Sequence, residues 1–262
     1  IRRMIHSTAI IDPSAKVDPS TQIGAYSIIG SKVQIGKNCL IEPHSQICNR
    51  VTIGKGNTIG RGSIIGADPQ DLSFDPSTLS KVSIGDDNTI RELVTIHRST
   101  SSEGITKIGN SNFLMTGCHI GHDVTIGNNV IIANSCLLGG HTVVNDNAFL
   151  GGGAVFHQFV HIGGFCMIQG NSTITKDVPT YCIGYGRNCL AGINTIGLKR
   201  SGMDKQHIQE IKNLFKLIFY SKDTASDNIK AESQKSNPEY IDLFLESLSK
   251  PSQKGICHPS QK

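Results

Sequence analysis

The sequence has no tryptophan, and aromatic residues make up only 5% of its 262 residues. Charged residues are scarce at 18%, below the proportion of roughly a quarter that is usual for globular domains. Basic and acidic residues nearly balance, at 25 and 21, which argues against nucleic acid as the main partner. No apolar run approaches the length that would span a membrane, so we expect a soluble protein without a transmembrane segment.

Cysteine motifs that bind metal are also missing. None of the eight cysteines forms a CxxC pair, so a structural zinc site of that kind is not expected. Several cysteines share one phase of the repeat described below, which predicts small core residues in a reducing compartment rather than a disulfide framework. These are Cys39, Cys118, Cys136 and Cys166.

Isoleucine and glycine are abundant instead, at 35 and 28 residues. This composition favours strands with tight corners and argues against both disorder and a helical bundle. A large apolar residue recurs every six residues at 26 positions, in runs that cover 5–65, 84–96 and 108–174. Glycine often follows it, and a small or compact residue often stands four positions after it.

A hexapeptide repeat of this kind predicts a parallel β-helix, in which three hexads form one triangular coil. Each short strand would stack on its copy 18 residues later. Loops are expected only where the phase breaks, at 66–83 and 97–107. The repeat predicts the fold but indicates almost nothing about the function.

The repeat decays after Ile174, and helical spacing follows. Three helices are predicted: 201–220, capped by Ser201 or Asp204; a weaker one near 225–235; and one from Pro238 to about Leu248. The last dozen residues look frayed. The sequence therefore predicts a β-helix domain over 1–196 and a small C-terminal helical domain over 197–262.

Four histidines should lie close together if residues about 18 apart stack: His119, His122, His141 and His157. Asp123 directly follows His122 and could orient its imidazole. Gly140 precedes His141, where a bare backbone N–H group could reach a ligand. A base, an orienting acid and an N–H donor are the components that acyl transfer requires.

Two other interpretations of the histidines stay open. They could be surface residues at turns, which is what we expect of the isolated His97, His161 and His207. They could also bind zinc, as histidines do in γ-class carbonic anhydrases, which are trimeric β-helices of this repeat type. Those enzymes use two histidines separated by four residues, whereas His119 and His122 are separated by two. We therefore predict no metal.

Several stretches resemble the UDP-N-acetylglucosamine O-acyltransferase family, whose members catalyse the first step of lipid A biosynthesis. They are 119–123, 138–141 and 155–159 around the histidines, and 69–72, 90–98 and 194–200 outside them. Many transferases share the hexads, so the stretches outside the repeat are the more specific ones. The resemblance covers at least residues 5–250.

The resemblance implies a homotrimer of left-handed β-helices with active sites in the clefts between subunits. It implies transfer of an (R)-3-hydroxyacyl chain from acyl carrier protein to the glucosamine 3-hydroxyl of UDP-N-acetylglucosamine. No cofactor is implied, since the acyl thioester is a co-substrate. His122 would be the general base, Asp123 would orient its ring, and the Gly140 N–H would stabilise the oxyanion. The implied substrate-binding residues are Gln70, Asp71, His119, His141, His157, Gln158, Gly170, Asn194 and Arg200.

Within that set, Gln70 and Asp71 would contact the sugar, and Arg200 would face phosphate. Gly170 would leave the acyl groove open, because a large residue there shortens the preferred chain in the family. We therefore expect a long acyl chain, nearer about 14 than about 10 carbons, since each buried methylene adds binding energy. Two departures, Ser73 for the family's usual lysine and Ile196 for its usual glutamate, predict altered donor or nucleotide contacts.

The sequence offers two alternatives to this family. A sister enzyme N-acylates UDP-3-O-acylglucosamine, but its members usually carry an extra N-terminal domain, and here the hexads begin at Ile5. A β-helical scaffold or ice-binding rod would explain the hexads but not the His122–Asp123 pair, the phase breaks or the helices. The opening residues Arg2 and Arg3, without an initiator methionine in first place, favour a processed protein of the mitochondrion over one of the bacterial cytoplasm.

Overall fold

The computed structural model describes residues 4–260. Arg2 and Arg3, which underlie the prediction of a processed N-terminus, lie outside these residues. Within 4–260, no helix is both long enough and apolar enough to cross a membrane.

The hexads form three sheets that make the sides of a triangular prism. Within the described chain, sheet I contains nine strands: Ile10–Ile11, Ile28–Ile29, Gln46–Ile47, Ile64–Ala67, Thr95–His97, His119–Ile120, Leu137–Leu138, Val155–Phe156 and Thr173–Ile174. Sheet II contains eight within the same residues: Lys16–Val17, Gln34–Ile35, Val51–Ile53, Lys81–Ile84, Ile105–Ile108, Thr125–Ile126, Val143–Val144 and His161–Ile162.

Sheet III contains eleven strands in residues 4–260: Gln22–Ile23, Leu40–Ile41, Thr58–Ile59, Thr89–Ile90, Phe113–Leu114, Ile131–Ile132, Phe149–Leu150, Met167–Ile168, Cys182–Tyr185, Cys189–Ile193 and His258–Pro259. The chain passes from sheet I to II to III and back. We name the prism edges by the sheets they join: I/II, II/III and III/I.

The repeat sets both the register and the core. Strands of neighbouring coils pair in parallel, as Ile10 does with Ile28, 18 residues later. In a typical two-residue strand the first side chain points outward, and the second is buried, as Ile41 and Ile120 are, with no exposed surface. Each such side chain stabilises the fold by about 1.5–3 kcal/mol. The parallel β-helix predicted from the hexads is confirmed.

Both phase breaks become loops, and both leave the prism at the I/II edge. The first, residues 68–80, joins Ile64–Ala67 of sheet I to Lys81–Ile84 of sheet II. The second, residues 98–104, joins Thr95–His97 to Ile105–Ile108 of the same two sheets. A register shift between Ile65 and Ala67 turns the chain into the first loop. We call residues 68–80 the first loop and residues 98–104 the second loop.

The corners repeat one backbone conformation, and that repetition aligns side chains between coils. The third residue after the inward one adopts a positive φ at Asp123, His141 and Phe159, with values of 60°, 59° and 67°. These residues stand above one another on the I/II edge, since the His141 N–H donates to His122 O at 3.0 Å and the Phe159 N–H donates to Gly140 O at 3.0 Å.

Four helices follow the strands in the described residues: α1 at Thr195–Arg200, α2 at Lys205–Tyr220, α3 at Ala225–Ser233 and α4 at Glu239–Ser249. The three predicted helices are confirmed, and Asp204 rather than Ser201 caps α2, because its side chain accepts from the Gln206 N–H. The six-residue α1 was not predicted, since it is too short for a repeated apolar stripe.

The expectation of a frayed C-terminus is wrong for the residues that the structure describes. His258–Pro259 pairs with Cys189–Ile193 and extends sheet III. Cys257 is fully buried, and its N–H donates to Asp177 O at 2.8 Å. The prolines and glycine nearby suggested an irregular end, but burial of this thiol against the last coil orders the segment.

Candidate functional site

The predicted base and its acid meet at the I/II edge, in the corner after strand His119–Ile120. His122 Nδ1 lies 2.9 Å from Asp123 Oδ2. Both side chains are largely buried, at 13% and 12% exposed. The pair is therefore shielded from solvent on most sides.

Gly140 lies one coil above His122, and the absence of a side chain there makes room for the imidazole. A Cβ on Gly140 would lie 2.4 Å from His122 Cε1 and 2.5 Å from His122 Nε2. Any larger residue would push the ring away from its present place. The Gly140 N–H has no hydrogen-bond acceptor among residues 4–260. The glycine that packs against the His122 ring thus also carries a backbone N–H without an acceptor in the described chain.

Asp123 is held by the second loop. The Thr100 N–H and hydroxyl donate to Asp123 Oδ2 at 3.1 and 2.8 Å, and the Ser99 hydroxyl donates to Oδ1. Burial by itself would raise the pKa of Asp123, but the hydrogen bonds from Ser99, His122 and Thr100 outweigh it and lower the pKa to about 2. Asp123 is consequently a fixed anion at neutral pH.

His141 completes the cluster from the next coil. Its Nε2 lies 3.7 Å from Asp123 Oδ2, and its ring meets the His122 ring edge-on with centroids 5.2 Å apart. On its other side it stacks on Phe159 at 4.5 Å. His141 keeps 35% of its side chain exposed, so it can contact a ligand that approaches the pair.

His119 and His97 lie below the pair, on sheet I. Thr95 Oγ1 lies 2.8 Å from His119 Nδ1, and the His97 ring meets the His119 ring at 4.9 Å. Burial lowers the pKa of His97 to about 4 and also lowers that of His119. Both rings are therefore neutral near pH 7. The surface role predicted for His97 is wrong, because only 7% of it is exposed.

The first loop brings Asp71 toward the same edge. Asp71 Oδ1 accepts from the Ser73 N–H at 2.8 Å and from the Ser73 hydroxyl at 2.7 Å. These two bonds, with a smaller contribution from His122, lower the pKa of Asp71. Gln70 and Leu72 are exposed. Ser73, which stands where the family usually has lysine, thus closes a turn on Asp71.

The remaining predicted site residues are more scattered. His157 and Gln158 are exposed on the coil above His141, at the same edge. Gly170 lies on the III/I edge, in the corner after Met167–Ile168, so one chain does not bring it to the histidines. Asn194 caps α1 by accepting from the Gly197 N–H at 3.0 Å, and its amide donates to Phe165 O at 2.9 Å. Arg200 is exposed at the end of α1.

Two residues that hold Asp123 were not predicted from the sequence. Ser99 and Thr100 fall in the second phase break, and that break was the available signal. Their distance from Asp123 in sequence, 24 and 23 residues, hides the contact, because the inserted loop disrupts the 18-residue spacing. The predicted surface residues His161 and His207 lie in a sheet II strand and in α2 rather than at turns.

The group that could hold a cation consists of His122, Asp123 and His141. Within the described residues, one possible ligand atom from each lies within 4.8 Å of the others. Asp123 is already engaged by Ser99 and Thr100, and His122 by Asp123. The prediction that the site uses no metal stays a prediction.

A β-helix of hexads with a His–Asp pair and a free N–H at one edge defines the class of hexapeptide-repeat acyltransferases. The protein-family model for the bacterial transferase hexapeptide (six repeats) matches residues 32–67 and 105–140. A second protein-family model, described as UDP-N-acetylglucosamine O-acyltransferase, domain 2, matches residues 177–257.

Individual relatives are consistent with both matches. A UDP-N-acetylglucosamine acyltransferase of Francisella novicida superposes with a TM-score of 0.94 at 34% identity, covering 98% of this chain and 95% of that one. One from Bacteroides fragilis gives 0.91 at 39%, covering 97% and 99%. The curated acyl-[acyl-carrier-protein]–UDP-N-acetylglucosamine O-acyltransferase of Gloeothece citriformis is 42% identical over 177 residues, 67% of this chain and 64% of its own length. The chain belongs to the UDP-N-acetylglucosamine acyltransferase family, and the predicted left-handed β-helix is confirmed.

Proposed function

We propose that this chain transfers an (R)-3-hydroxyacyl group from acyl carrier protein to the 3-hydroxyl of UDP-N-acetylglucosamine, the first step of lipid A biosynthesis. The observation that supports it most is the buried His122–Asp123 pair beneath the free Gly140 N–H. A base beside an unoccupied donor is the arrangement that acyl transfer to a hydroxyl needs. Family membership supports the choice of donor and acceptor.

In the proposed reaction, His122 Nε2 takes the proton from the sugar hydroxyl as the oxygen attacks the thioester carbonyl. Asp123 accepts from Nδ1–H, which holds the ring in the tautomer with a free Nε2 and stabilises the imidazolium that forms. The Gly140 N–H donates to the tetrahedral oxyanion. Collapse breaks the carbon–sulfur bond, and the thiolate leaving group takes the proton from His122, which restores the base.

The test is mass spectrometry of products after separate incubations with UDP-N-acetylglucosamine and with UDP-3-O-acylglucosamine, each with a series of 3-hydroxyacyl carrier proteins. We expect one added acyl group, released by mild alkali because it is an ester. An alkali-resistant amide, formed only with an amino-sugar acceptor, would contradict the proposal and indicate the sister N-acyltransferase instead. No product with any donor would contradict both.

We further propose that the protein is a homotrimer, which the outward side chains of the three sheets support. Sheets I and III present exposed apolar residues, among them Ile28, Leu137, Leu40 and Ile131 at 42, 44, 37 and 36% exposure. The outward positions of sheet II are mainly polar, such as Lys16, Gln34, Thr52, Lys107 and Thr125. In a threefold assembly, two sides of each prism face neighbours and one faces water, which fits this distribution.

A matched pair of variants tests this assembly. Ile131→Lys places a charge on sheet III, and Thr125→Lys places the same charge on sheet II. Sedimentation equilibrium should give about three times 28.2 kDa for the wild type and for Thr125→Lys. It should give a smaller species for Ile131→Lys. An active wild-type monomer would contradict the trimer.

We propose that Gly170 sets acyl-chain length from the III/I edge of a neighbouring subunit. A Cβ there would lie 3.0 Å from Gly152 O, so a side chain at this position needs a small shift of the neighbouring corner. Gly170→Met should shift the preferred donor from about 14 toward about 10 carbons, because the added side chain fills the space of several methylenes. An unchanged chain-length profile would contradict this role.

The other predicted binding residues belong to the same proposal. Gln70, Asp71 and His141 contact the nucleotide sugar, and Arg200 reaches phosphate from α1. The mitochondrial location stays a prediction, which localisation of the tagged full-length protein would check.

A further inference from the structure

The first loop carries Gln70 and Asp71, and its last two residues are bonded to the second loop, because the Glu103 N–H donates to Leu79 O at 2.8 Å and the Ser80 hydroxyl to Ser99 O at 2.6 Å. Within residues 4–260, every hydrogen bond from residues 69–78 to the rest of the chain comes from Arg98. The other hydrogen bonds of this segment are internal turns, such as Ser73 to Asp71 and Ser77 to Asp75. The Arg98 side chain therefore makes all the hydrogen bonds that connect residues 69–78 to the rest of the described chain.

Arg98 follows strand Thr95–His97, and its guanidinium reaches three parts of the first loop. Nε donates to Asp68 Oδ1 at 2.7 Å, at the start of the loop. Nη2 donates to Pro76 O at 2.9 Å, and Nη1 donates to Thr78 O and to Ser80 Oγ, the last at 3.2 Å. Both limbs of the loop are thus bound to one planar group, which no lysine could reproduce.

The same guanidinium also supports the middle of the loop. Its central carbon lies 4.8 Å from the centre of the Phe74 ring, within range of a cation–π contact. Only 12% of the Arg98 side chain is exposed, so the guanidinium itself is largely shielded from solvent, whereas Asp68 is 57% exposed. The limb at 76–80 spans a cavity of about 640 Å³ instead of a packed core, so little apolar packing replaces these contacts.

We infer that Arg98 is a positioning residue for nucleotide-sugar binding: it holds the first loop so that Gln70 and Asp71 stand beside the His122 site. Arg98 itself does not touch the reacting atoms. The inference rests on the proposed function, because that proposal places the sugar against Gln70 and Asp71. It adds that the affinity for the acceptor depends on a side chain outside the binding surface.

The first measurement needs no activity. Chymotrypsin should cleave after Leu72 or Phe74 at a rate that follows loop opening. Arg98→Met should raise that rate about tenfold or more, since each hydrogen bond to a charged group shifts an equilibrium by about that factor. Arg98→Lys, which keeps the charge but loses the fork, should fall between. Arg91→Met is the matched control, because Arg91 pairs with Glu92 on the surface and, within residues 4–260, makes no hydrogen bond or ion pair with the first loop.

The second measurement is steady-state kinetics of the same proteins. Arg98→Met should raise KM for UDP-N-acetylglucosamine about tenfold, while KM for the acyl carrier protein donor stays as in the wild type. Asp68→Asn removes one contact and leaves the carbonyl bonds, so its effect should be smaller. Thermal unfolding of each variant separates loop release from loss of the fold.

The outcomes separate the two proposals. If Arg98→Met is cleaved at the same rate as the wild type, Arg98 does not hold the first loop in place. Faster cleavage with an unchanged KM for the sugar nucleotide would overturn the positioning role. If the wild type forms no product with any donor, the proposed function fails, and the positioning role falls with it, while the cleavage rates still report whether Arg98 fastens the loop.

Discussion

The I/II and II/III edges of the prism have the same corner but fill one position differently. Two residues after the inward one, the II/III edge has Asn110, Asn128 and Asp146 on successive coils. The Asn110 N–H donates to Asn128 Oδ1 and the Asn128 N–H to Asp146 Oδ1, both at 2.8 Å. On the I/II edge the same position has His122 and Gly140, and the Gly140 N–H has no acceptor in the described chain.

This difference shows how one repeated corner supplies either stability or chemistry. An asparagine or aspartate uses its side chain to satisfy the N–H of the coil below and so seals the edge. Glycine leaves space for an imidazole, and the next residue in the column, Gln158, leaves the N–H free. The backbone is the same in both places, so the side chains alone decide which edge can bind a substrate.

Removal of the imidazole should have the largest effect. His122→Ala should lower turnover about 10²- to 10⁴-fold, the range for loss of a positioned base, with the assembly unchanged. Asn128→Ala, at the same corner position on the II/III edge, should keep full activity. Initial rates at saturating substrates check both variants. A His122→Ala protein within a few-fold of the wild type would remove His122 from the mechanism.

The second-largest effect is expected when the I/II edge receives the kind of side chain that the II/III edge carries. Gln158→Asn places a carboxamide one coil above Gly140, where the equivalent Asn128 accepts the N–H of Asn110. The Gly140 N–H would then be occupied, and turnover should fall about 10²-fold, as when one oxyanion donor is lost.

Gln158→Ala is the control for that variant. Both substitutions remove the glutamine, but only asparagine adds an acceptor, so their difference in kcat isolates the N–H. Equal kcat values in the two variants would mean that Gly140 does not stabilise the oxyanion.

Acid should reveal the contribution of Asp123 to stability. Its pKa of about 2 lies below the ordinary value of 3.8, so the stabilisation is complete above pH 3.8 and is lost as the pH falls toward 2. A shift of this size corresponds to about 2 kcal/mol. Urea unfolding should find Asp123→Asn less stable than the wild type at pH 6, with a smaller gap at pH 2.5. A gap that does not depend on pH would show that the carboxylate charge is not stabilised in the fold.

The smallest effect is expected from a substitution at the II/III edge. Asn128→Ala leaves the Asn110 N–H without its side-chain acceptor, at a position that water can reach. The free energy of unfolding should fall by about 0.5–1.5 kcal/mol, the usual net value of such a hydrogen bond. Urea titration measures this, and a loss well above that range would mean that the ladder acts as one cooperative unit.

The coils were predictable because the repeat states their geometry directly. Six-residue spacing predicted the inward residues, and the breaks in phase predicted both loops. The return of His258–Pro259 to sheet III could not be predicted, because it depends on a tertiary contact of Cys257 rather than on any local pattern. α1 is shorter than two helical turns and carries no periodic signal.

The site was predictable where the 18-residue spacing is unbroken, as from His122 to Gly140. It was not predictable across an insertion, which is why Ser99 and His97 were missed or misplaced. Gly170 was predicted to lie further along the prism than His122 and His157, and it does, in a later coil at the III/I edge. The family resemblance implied the roles of these residues, while the fold shows which side chains meet in one chain.

The His122–Asp123 pair at the I/II edge is proposed to deprotonate a sugar hydroxyl that attacks the acyl thioester. The most direct test is a single-turnover reaction of UDP-N-acetylglucosamine with a 3-hydroxyacyl carrier protein, followed by mass spectrometry of the nucleotide sugar. We expect the wild type to form a hydroxylamine-sensitive ester at the 3-hydroxyl and His122→Ala to form it at least about 10²-fold more slowly. Equal rates of ester formation in the two proteins, or no ester in the wild type, would contradict it.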